Sequence, residues 1–354
     1  LRQPNLRPPP QGAPPVTAVT ESRTARVTLG GLAALGVVGI LWGPPAPRVP
    51  HLFEGEPNTD VAAFRVVVER LRAGDLYYEA FGDVLRARHY PTGSVFNWRT
   101  PLHLTLVASA PWWVWRAVMS AISIAFFATA MSTMSGDRTT RLAGAILLAG
   151  VVVSEAAWDA VYSSEVWAGL LIGLSICAYA HRRWLTAVVF GLMALFVREL
   201  SLPYCLSCAT IAAVRRQRRE LAVWAGGGLS YLVYFAWHWT HVDAARRVGD
   251  LAQPASWVQL GGLPFLQATL TKVSWFAFLP TRASTAVVVL LAAGALSQLP
   301  LHVRVTGLVL ASTFLVVGLP FNDYWGWVAA PAWAMACAYG PGVIGRAIER
   351  AGRA

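Results

Sequence analysis

The sequence has little charge, almost no lysine and few cysteines, and each shortage narrows the classes of protein it could belong to. Charged residues make up 13% of the 354 residues, against about 25% in ordinary soluble domains. Hydrophobic residues make up 56% of the chain, and tryptophan occurs 16 times. Because a soluble domain of this size does not need so much apolar surface, the composition predicts a polytopic membrane protein.

Cysteine and glycine patterns that would indicate a redox, metal or nucleotide site are also scarce. The four cysteines, Cys177, Cys205, Cys208 and Cys337, all fall in apolar segments. The CxxC spacing of Cys205 and Cys208 fits two small residues on a membrane helix better than a redox or zinc site. No disulfide framework is implied, and no Walker motif or dinucleotide-binding glycine pattern is present.

Lysine is nearly absent, so the formal net charge of +11 rests on arginine, with Lys272 as the only lysine. The arginines lie in short clusters between apolar runs, which is typical of positive-inside topology and not of a nucleic-acid-binding face. We therefore expect no nucleic-acid partner. The clusters expected in the cytoplasm are Arg23 with Arg26, 136–141, 181–183, 215–219, Arg304, and Arg346 with Arg350 and Arg353.

Apolar runs of membrane length, or nearly so, predict an all-helical fold of about ten transmembrane helices. The run 101–134 is too long for one helix, and Pro111 is expected either to break it into a hairpin or to kink it. Residues 255–280 are interpreted as a re-entrant segment, a surface-lying segment or one further span. The runs are 27–43, 101–134, 142–158, 165–180, 184–197, 200–214, 220–238, 284–299, 305–320 and 325–345.

These runs divide the chain into one membrane domain with short tails. Residues 1–26, rich in proline and arginine, are expected to be a disordered cytoplasmic tail. Residues 27–345 form the predicted transmembrane domain, and 346–354 a second cytoplasmic tail. Residues 44–100 are then the first outer loop, and they hold seven of the 18 acidic residues.

The first outer loop contains a segment with helical spacing that begins at Asp60. Apolar residues recur through 61–71, and Gly74 follows as a stop signal. We expect amphipathic surface helices near 59–73 and 76–88. Asp60 has two interpretations: an N-cap, worth about 1 kcal/mol, or a base held at the membrane surface.

The order of motifs after this helix resembles the GT-C superfamily of integral-membrane glycosyltransferases. GDLYYEAFGDVL at 74–85 brings Tyr77 and Tyr78 beside Glu79, and Arg99-Thr100-Pro101-Leu102 enters the second apolar run. In that family an early acidic residue, one or two surface helices and a basic-Pro-Pro-Leu motif follow one another in this order. RAVMSAI at 116–122 and LFVREL at 195–200 resemble further arginine-bearing segments of the family. Thr100 stands where the family has its first proline.

The resemblance implies transfer of a hexose or pentose from a polyprenyl-phosphate donor to a lipid, glycan or protein acceptor, in the manner of mannosyltransferases. The reaction would invert the sugar carbon, on the outer face of a multi-pass protein in the cytoplasmic membrane. A carboxylate serves well as base for the acceptor hydroxyl, so Asp60 is the candidate catalytic residue, with Glu54, Glu56 and Glu79 as alternates. Because a guanidinium grips phosphate bidentately, Arg99 is the candidate for the leaving lipid phosphate, with Arg198 as a second.

Each of these residues also has an interpretation that needs no function. Arg99 could be an arginine that snorkels at a helix start, and Arg198 with Glu199 could be a neutralised intramembrane pair rather than part of the binding site. His103, one turn beyond Arg99, either hydrogen-bonds the site or is a structural histidine. Tyr78 joins the candidate substrate-binding residues Arg99, Glu79, His103, Arg198 and Glu199.

Two other groups of side chains carry weaker hypotheses. His238 and His241 with Asp243 have a spacing seen in metal sites, but such pairs are usually incidental, so neither a metal nor another cofactor is expected. The outer segment 321–327 combines Asn322-Asp323-Tyr324 with two tryptophans, which belong to an interfacial belt or stack on a sugar.

Three other functions are compatible with the sequence. A transporter or flippase of lipid-linked sugars would want internal repeats and midplane charges, whereas the acidic residues concentrate in one outer loop. A GT-C-like scaffold without catalysis is the second, because the chain is short. A polymerase or ligase of lipid-linked glycans is the third.

Overall fold

The computed structural model of the chain is all-helical in the part it describes. It describes residues 23–34, 37, 60–134, 136, 138–155, 159–251, 260–272, 281–295, 297, 299–318 and 320–352. These residues form α-helices joined by short 3-10 turns, and no β-strand occurs among them. The all-helical prediction is therefore confirmed over these ranges.

Fourteen α-helices occur in the described residues. They are α1 (23–34), α2 (Asp60–Arg72), α3 (Tyr77–Ala87), α4 (Pro101–Ala108), α5 (Trp112–Thr133), α6 (Arg138–Glu155), α7 (Ser164–Ala180), α8 (Trp184–Val197), α9 (Leu202–Val214), α10 (Arg218–Ala245), α11 (Gly262–Lys272), α12 (Thr281–Ala295), α13 (Leu301–Val316) and α14 (Ala330–Gly352). Four 3-10 turns of interest are Val95–Asn97, Ala160–Tyr162, Glu199–Ser201 and Pro320–Val328.

The two helices expected in the first outer loop are present as α2 and α3. The apolar positions of α2 are buried, and its Phe64 ring packs 6.1 Å from that of Phe81 on α3. Gly74 follows α2 with φ +101, a left-handed conformation that costs glycine least among the residues. The expected stop signal therefore has the backbone geometry that the sequence suggested.

The long run 101–134 is broken at Pro111 into α4 and α5. Proline lacks an N–H and disfavours helix in the residue before it, and Pro111 here becomes the N-cap of α5. The carbonyls at the end of α4 are taken up by Arg72, whose Nη2 donates to Val107 O at 3.1 Å and to Ala110 O at 2.6 Å. The short α4 is thus tied to α2, and α5 is a separate helix.

By length and composition, α5 is the one described helix able to cross a membrane. It has 22 residues and a mean hydropathy of 1.6. Five other apolar segments among the described residues are shorter: Ser164–Ala180, Trp184–Val197, Glu199–Val214, Thr285–Ala295 and Leu301–Val316. The ten-span architecture stays a prediction.

Two expected boundaries differ from the structure. α14 continues from Ala330 to Gly352 with Pro341 inside it, so the last helix extends past residue 345, where a tail was expected. At the other end of the chain, helix α1 already covers 23–26, while residues 1–22 lie outside the described part. In the region 255–280, the described residues 262–272 form α11, which packs against α13 and the Pro320–Val328 turn.

Helix α7 lies at the centre of the packing. Residues 164–178 are all buried, and α5, α8, α14 and the Pro320–Val328 turn surround the helix. Gly169 meets the backbone carbonyl of Trp327 and Gly173 meets the Phe126 ring, each so closely that a Cβ would clash. Because neighbouring elements approach α7 this closely, the acidic residue in its first turn, Glu165, is enclosed by them.

A candidate site of acids and arginines

Asp60, the first residue of α2, is bound to a tyrosine that lies far away in the sequence. Tyr324, in the Pro320–Val328 turn, donates its hydroxyl hydrogen to Asp60 Oδ2 at 2.8 Å. Both side chains are half-buried. The sequence placed Asp60 at the start of this helix, and the structure adds that its carboxylate faces a tyrosine hydroxyl.

Arg99 is fixed by its backbone before its side chain enters the cluster. The Tyr77 hydroxyl donates to the Arg99 carbonyl at 2.7 Å, and Trp98 Nε1 donates to Thr92 O at 3.0 Å. The turn before it is capped by Ser94, whose hydroxyl oxygen accepts from Phe96 N. These bonds hold the chain in an extended conformation up to Pro101, where α4 begins.

The Arg99 guanidinium bridges two groups. Its Nη2 donates to the Tyr324 hydroxyl oxygen at 3.4 Å and to Glu165 Oε1 at 3.3 Å. Since Tyr324 also binds Asp60, the carboxylate of Asp60 and the guanidinium of Arg99 are two hydrogen bonds apart. The two residues singled out in the predicted first outer loop thus meet around one hydroxyl group.

A second arginine reaches Glu165 from the break between α8 and α9. Arg198 Nε lies 2.9 Å from Glu165 Oε1, as an ion pair in which the N–H does not point at the oxygen. Arg198 Nη1 also pairs with Glu199. Arg198 and Glu165 are each 1% exposed, whereas the Glu199 side chain is 30% exposed. We call Asp60, Arg99, Glu165, Arg198, Glu199 and Tyr324 the acid–arginine cluster.

Glu165 is held at the start of α7 by hydroxyl groups as well as by the two arginines. The hydroxyls of Ser163 and Ser164 both donate to its Oε2 at 3.2 Å. The buried Glu165 carboxylate therefore joins two guanidiniums, that of Arg99 just before α4 and that of Arg198 just before α9. A buried charge is tolerated only when it is paired and hydrogen-bonded in this way.

The charges of the cluster, together with burial, shift the pKa values of Arg99, Glu199 and the neighbouring Tyr90. Burial alone would lower the pKa of Arg99, but the negative charges of Glu165, Glu199 and Asp60 outweigh it and the pKa is raised. Burial would raise the pKa of Glu199, yet Arg198 and Arg99 lower it. Burial, with the charge of Asp60, raises the pKa of Tyr90 to about 12. Arg99 and Glu199 are thus held in their charged forms.

Arg99 keeps capacity to bind a further anion. Its Nε is buried and has no hydrogen-bond acceptor among the described residues. The two hydrogen bonds from its Nη2 are 3.3 and 3.4 Å long. Charge-assisted hydrogen bonds between nitrogen and oxygen are typically shorter, about 2.7–2.9 Å. The Arg99 guanidinium thus has one unused donor and two long hydrogen bonds, and Arg198 Nε likewise lacks an acceptor among the described residues.

Other residues expected at the site lie beside it or away from it. His103 is buried, with Nε2 3.1 Å from the Val161 carbonyl, as in the structural interpretation. Tyr78 directs its hydroxyl to His238 Nδ1 at 3.0 Å, and Glu79 is exposed in the first turn of α3. The alternates Glu54 and Glu56 lie outside the described residues.

The histidine pair on α10 is part of an aromatic group around Tyr78. The Tyr78 ring packs 5.1 Å from His241 and 6.1 Å from Trp237, and Asp243 accepts from Trp239 Nε1 at 3.1 Å. Among the described residues, no group of three or more His, Cys, Asp or Glu side chains is arranged to hold a metal ion. All four cysteines are free and buried.

Sequence reasoning missed Glu165 as a member of the site and assigned Tyr324 only a general aromatic role. Both stand in short polar segments, 159–165 and 321–327, that join apolar runs. The usable signal was an acidic residue in the first turn of a helix that is apolar on every side.

Comparison of the chain with models of protein families, with curated proteins and with solved structures finds no match.

Proposed function

We propose that the chain is a membrane glycosyltransferase of the GT-C type, which transfers a sugar from a polyprenyl-phosphate donor to a lipid, glycan or protein acceptor. The observation that carries the proposal is the chain of hydrogen bonds from Asp60 through Tyr324 to Arg99. It brings a carboxylate and a cation to the two sides of one tyrosine hydroxyl, and transfer from a phosphate leaving group needs both a base and a cation close together.

Asp60 is suited to the role of base. The acceptor hydroxyl would attack the anomeric carbon and give its proton to Asp60 Oδ1 or Oδ2, while the bond from that carbon to the phosphate oxygen breaks. The sugar carbon is inverted because attack and departure are on opposite sides. Asp60 is half-buried and interacts with the hydroxyls of Tyr324 and Tyr90, so an acceptor would approach a carboxylate that is already oriented.

The two arginines are suited to different tasks at the leaving group. Arg99, 13% exposed and with an unused Nε, is the direct ligand for the departing phosphate. Arg198 is 1% exposed, so it acts through Glu165 by fixing the carboxylate against which Arg99 rests. The oxygen that leaves gains negative charge, and a preorganised cation there lowers the barrier.

The membrane setting is supported by α5, which is long and apolar enough to cross a bilayer, and by the composition of the chain. Under the proposed topology, residues 44–100 and the acid–arginine cluster lie on the outer face of the cytoplasmic membrane. The lipid-linked donor is then held with its phosphate at the surface, where Arg99 stands at the start of α4.

The test is the variant Asp60→Asn in a transfer assay with purified full-length protein. Asn has the size of Asp, is an equally good N-cap and can still accept from the Tyr324 hydroxyl. Loss of general base catalysis typically lowers rate by about 10² to 10⁴. We therefore expect sugar transfer from polyprenyl-phosphate mannose or arabinose to fall by about that factor, while polyprenyl phosphate still binds.

Glu69→Gln is the matched control, because Glu69 is an exposed acid on the same helix whose one ion pair among the described residues is with Arg65. It should transfer sugar at the wild-type rate. An Asp60→Asn variant that folds and transfers sugar normally would leave Asp60 as a helix cap. Wild-type protein that binds the donor but never transfers sugar would favour a scaffold or a transporter.

A further inference from the structure

Two helix-to-helix turns, far from the acid–arginine cluster, share one backbone conformation. α7 passes into α8 through 181–183, and α9 passes into α10 through 215–217. Arg182 and Arg216 occupy equivalent positions with φ +60 and +57. Such left-handed positions after a helix are usually glycine, because a side chain costs energy there. The sequence has arginine in both.

The two turns lie side by side at one end of the helices. Tyr179, in the last turn of α7, donates to Glu220 Oε1 at 2.5 Å and accepts from Trp224 Nε1 at 3.0 Å. Its ring stacks on His302, with centroids 3.7 Å apart. Tyr179 therefore joins the end of α7 to the starts of α10 and α13.

This end is well separated from the acid–arginine cluster. α8 runs between the first of the two turns and Arg198, and it has 14 residues. At 1.5 Å per residue, that helix is about 21 Å long. The helices α7 to α10 thus have charged groups at both ends, and the helical segments between those ends are largely apolar.

Six arginines gather at these turns and point to solvent. All six are exposed, and none makes an ion pair with a described carboxylate. Within 181–220, all of which is described, the acidic residues are Glu199, bound by Arg198 at the far end, and Glu220, which is buried. We call these six the arginine face: Arg182, Arg183, Arg215, Arg216, Arg218 and Arg219.

Apolar side chains next to the arginine face are exposed as well. Leu185 and Val189, on the first turns of α8, are 53% and 47% exposed, and Val214 at the end of α9 is 77% exposed. A soluble polyanion offers such side chains no partner. A lipid does, because its acyl chains lie directly below its charged headgroup.

We propose that the arginine face binds the phosphate headgroups of anionic phospholipids. Guanidinium groups pair with phosphate oxygens in a bidentate manner, and clusters of basic residues beside apolar segments favour anionic over zwitterionic lipid. The exposed apolar residues of α8 and α9 would contact the acyl chains of the same molecules. This inference does not depend on the reaction proposed for the acid–arginine cluster.

The experiment measures binding of dioctanoyl-phosphatidylglycerol to the full chain in a zwitterionic detergent, with dioctanoyl-phosphatidylcholine as the comparison. Wild type should prefer the anionic lipid, and salt should weaken that preference. A variant with Arg182→Gln, Arg183→Gln, Arg215→Gln and Arg216→Gln should lose at least about tenfold in affinity, since each arginine near such lipid is worth about fivefold. The corresponding lysine variant should retain most of it.

Arg65→Gln is the control, because Arg65 is an exposed arginine on α2, and it should bind as wild type. Circular dichroism establishes that each variant is folded, and the lysine variant decides the matter if the glutamine variant is not. Equal affinity for the two lipids in wild type, or equal losses in the glutamine and lysine variants, would overturn the proposal. At an ionic strength held constant with chloride, displacement of the lipid by inorganic phosphate or by an RNA oligonucleotide would overturn it in favour of a soluble anion.

Discussion

Each end of the helices α7 to α10 buries a carboxylate, but the groups that bind the two carboxylates differ. Glu165 at the start of α7 pairs with Arg99 and Arg198 and accepts from two serine hydroxyls. Glu220 at the start of α10 accepts from the Tyr179 hydroxyl, and the arginines near it face outward. One end keeps its arginines inside and shares them among acids, while the other displays them.

Under the two proposals, this difference separates a site that acts on a small enclosed group from a surface that contacts a lipid. Charges that are enclosed and incompletely satisfied, like the Arg99 guanidinium, can hold one phosphate in a defined orientation. Charges that are exposed and unpaired are screened by salt, and each contributes little to binding by itself. Substitutions at the two ends should therefore differ in kind and in size.

The largest difference is expected for the two carboxylates. Glu165→Gln leaves two arginines facing each other without a buried counter-charge, and breaking a buried ion pair in this way costs about 3–5 kcal/mol of unfolding free energy. Glu220→Gln keeps a side chain that can accept from Tyr179, so its cost should be about 1 kcal/mol. Thermal or denaturant unfolding in detergent measures both.

Glu69→Gln, at an exposed pair on α2, is the control for loss of a carboxylate and should leave unfolding unchanged. If Glu165→Gln were no more destabilising than Glu220→Gln, the two arginines would be satisfied without Glu165. The account of Glu165 as the residue that joins them would then be wrong.

The next effect concerns binding of the donor phosphate. Because a hydrogen bond to a charged group is worth about 1.5–3 kcal/mol, Arg99→Ala should weaken binding of polyprenyl phosphate by that amount. Arg99→Lys should retain part of the affinity, since lysine supplies the charge without the planar fork. Calorimetry or fluorescence titration with the purified protein measures the affinity.

Two controls limit the interpretation of that result. Arg65→Ala removes an exposed arginine from α2 and should not change donor affinity. The arginine-face variant should not change it either, because that surface lies at the other end of α8. Unchanged affinity in Arg99→Ala would assign Arg99 to anchoring the start of α4.

Local rules predicted the local features of the site, and long-range packing decided the rest. Helical spacing and Gly74 gave α2 and its end, and the chemistry of Pro111 gave the break between α4 and α5. Asp60 and Arg99 stood out because charged side chains are rare in this apolar chain. That they meet around Tyr324 depends on how the Pro320–Val328 turn packs on α7, which no local pattern records.

The same limit explains Glu165. From the sequence it ended a polar segment before an apolar run, and the one signal that distinguished it was its place in the first turn of a helix that is apolar on every side. Its role follows from α7 being buried on all sides, which places its first turn between α4 and the α8–α9 break. Pairing with arginines that lie 66 and 33 positions away is a property of the assembled helices.

The smallest difference between the two ends should come from the two tyrosine hydroxyls, one at each end. Tyr179→Phe leaves Glu220, 4% exposed, without its donor, and an unsatisfied buried acceptor costs about 1–3 kcal/mol. Tyr324→Phe removes a 2.8 Å bond to Asp60 and a 3.4 Å bond from Arg99. Asp60 and Tyr324 are half-buried, so water can replace the hydroxyl and the net cost should be about 0.5–1.5 kcal/mol. The unfolding free energy of both variants, measured side by side in the same detergent, tests the difference. An equal or larger loss for Tyr324→Phe would mean that water does not reach Asp60, and a carboxylate closed to water is equally closed to the hydroxyl of an acceptor.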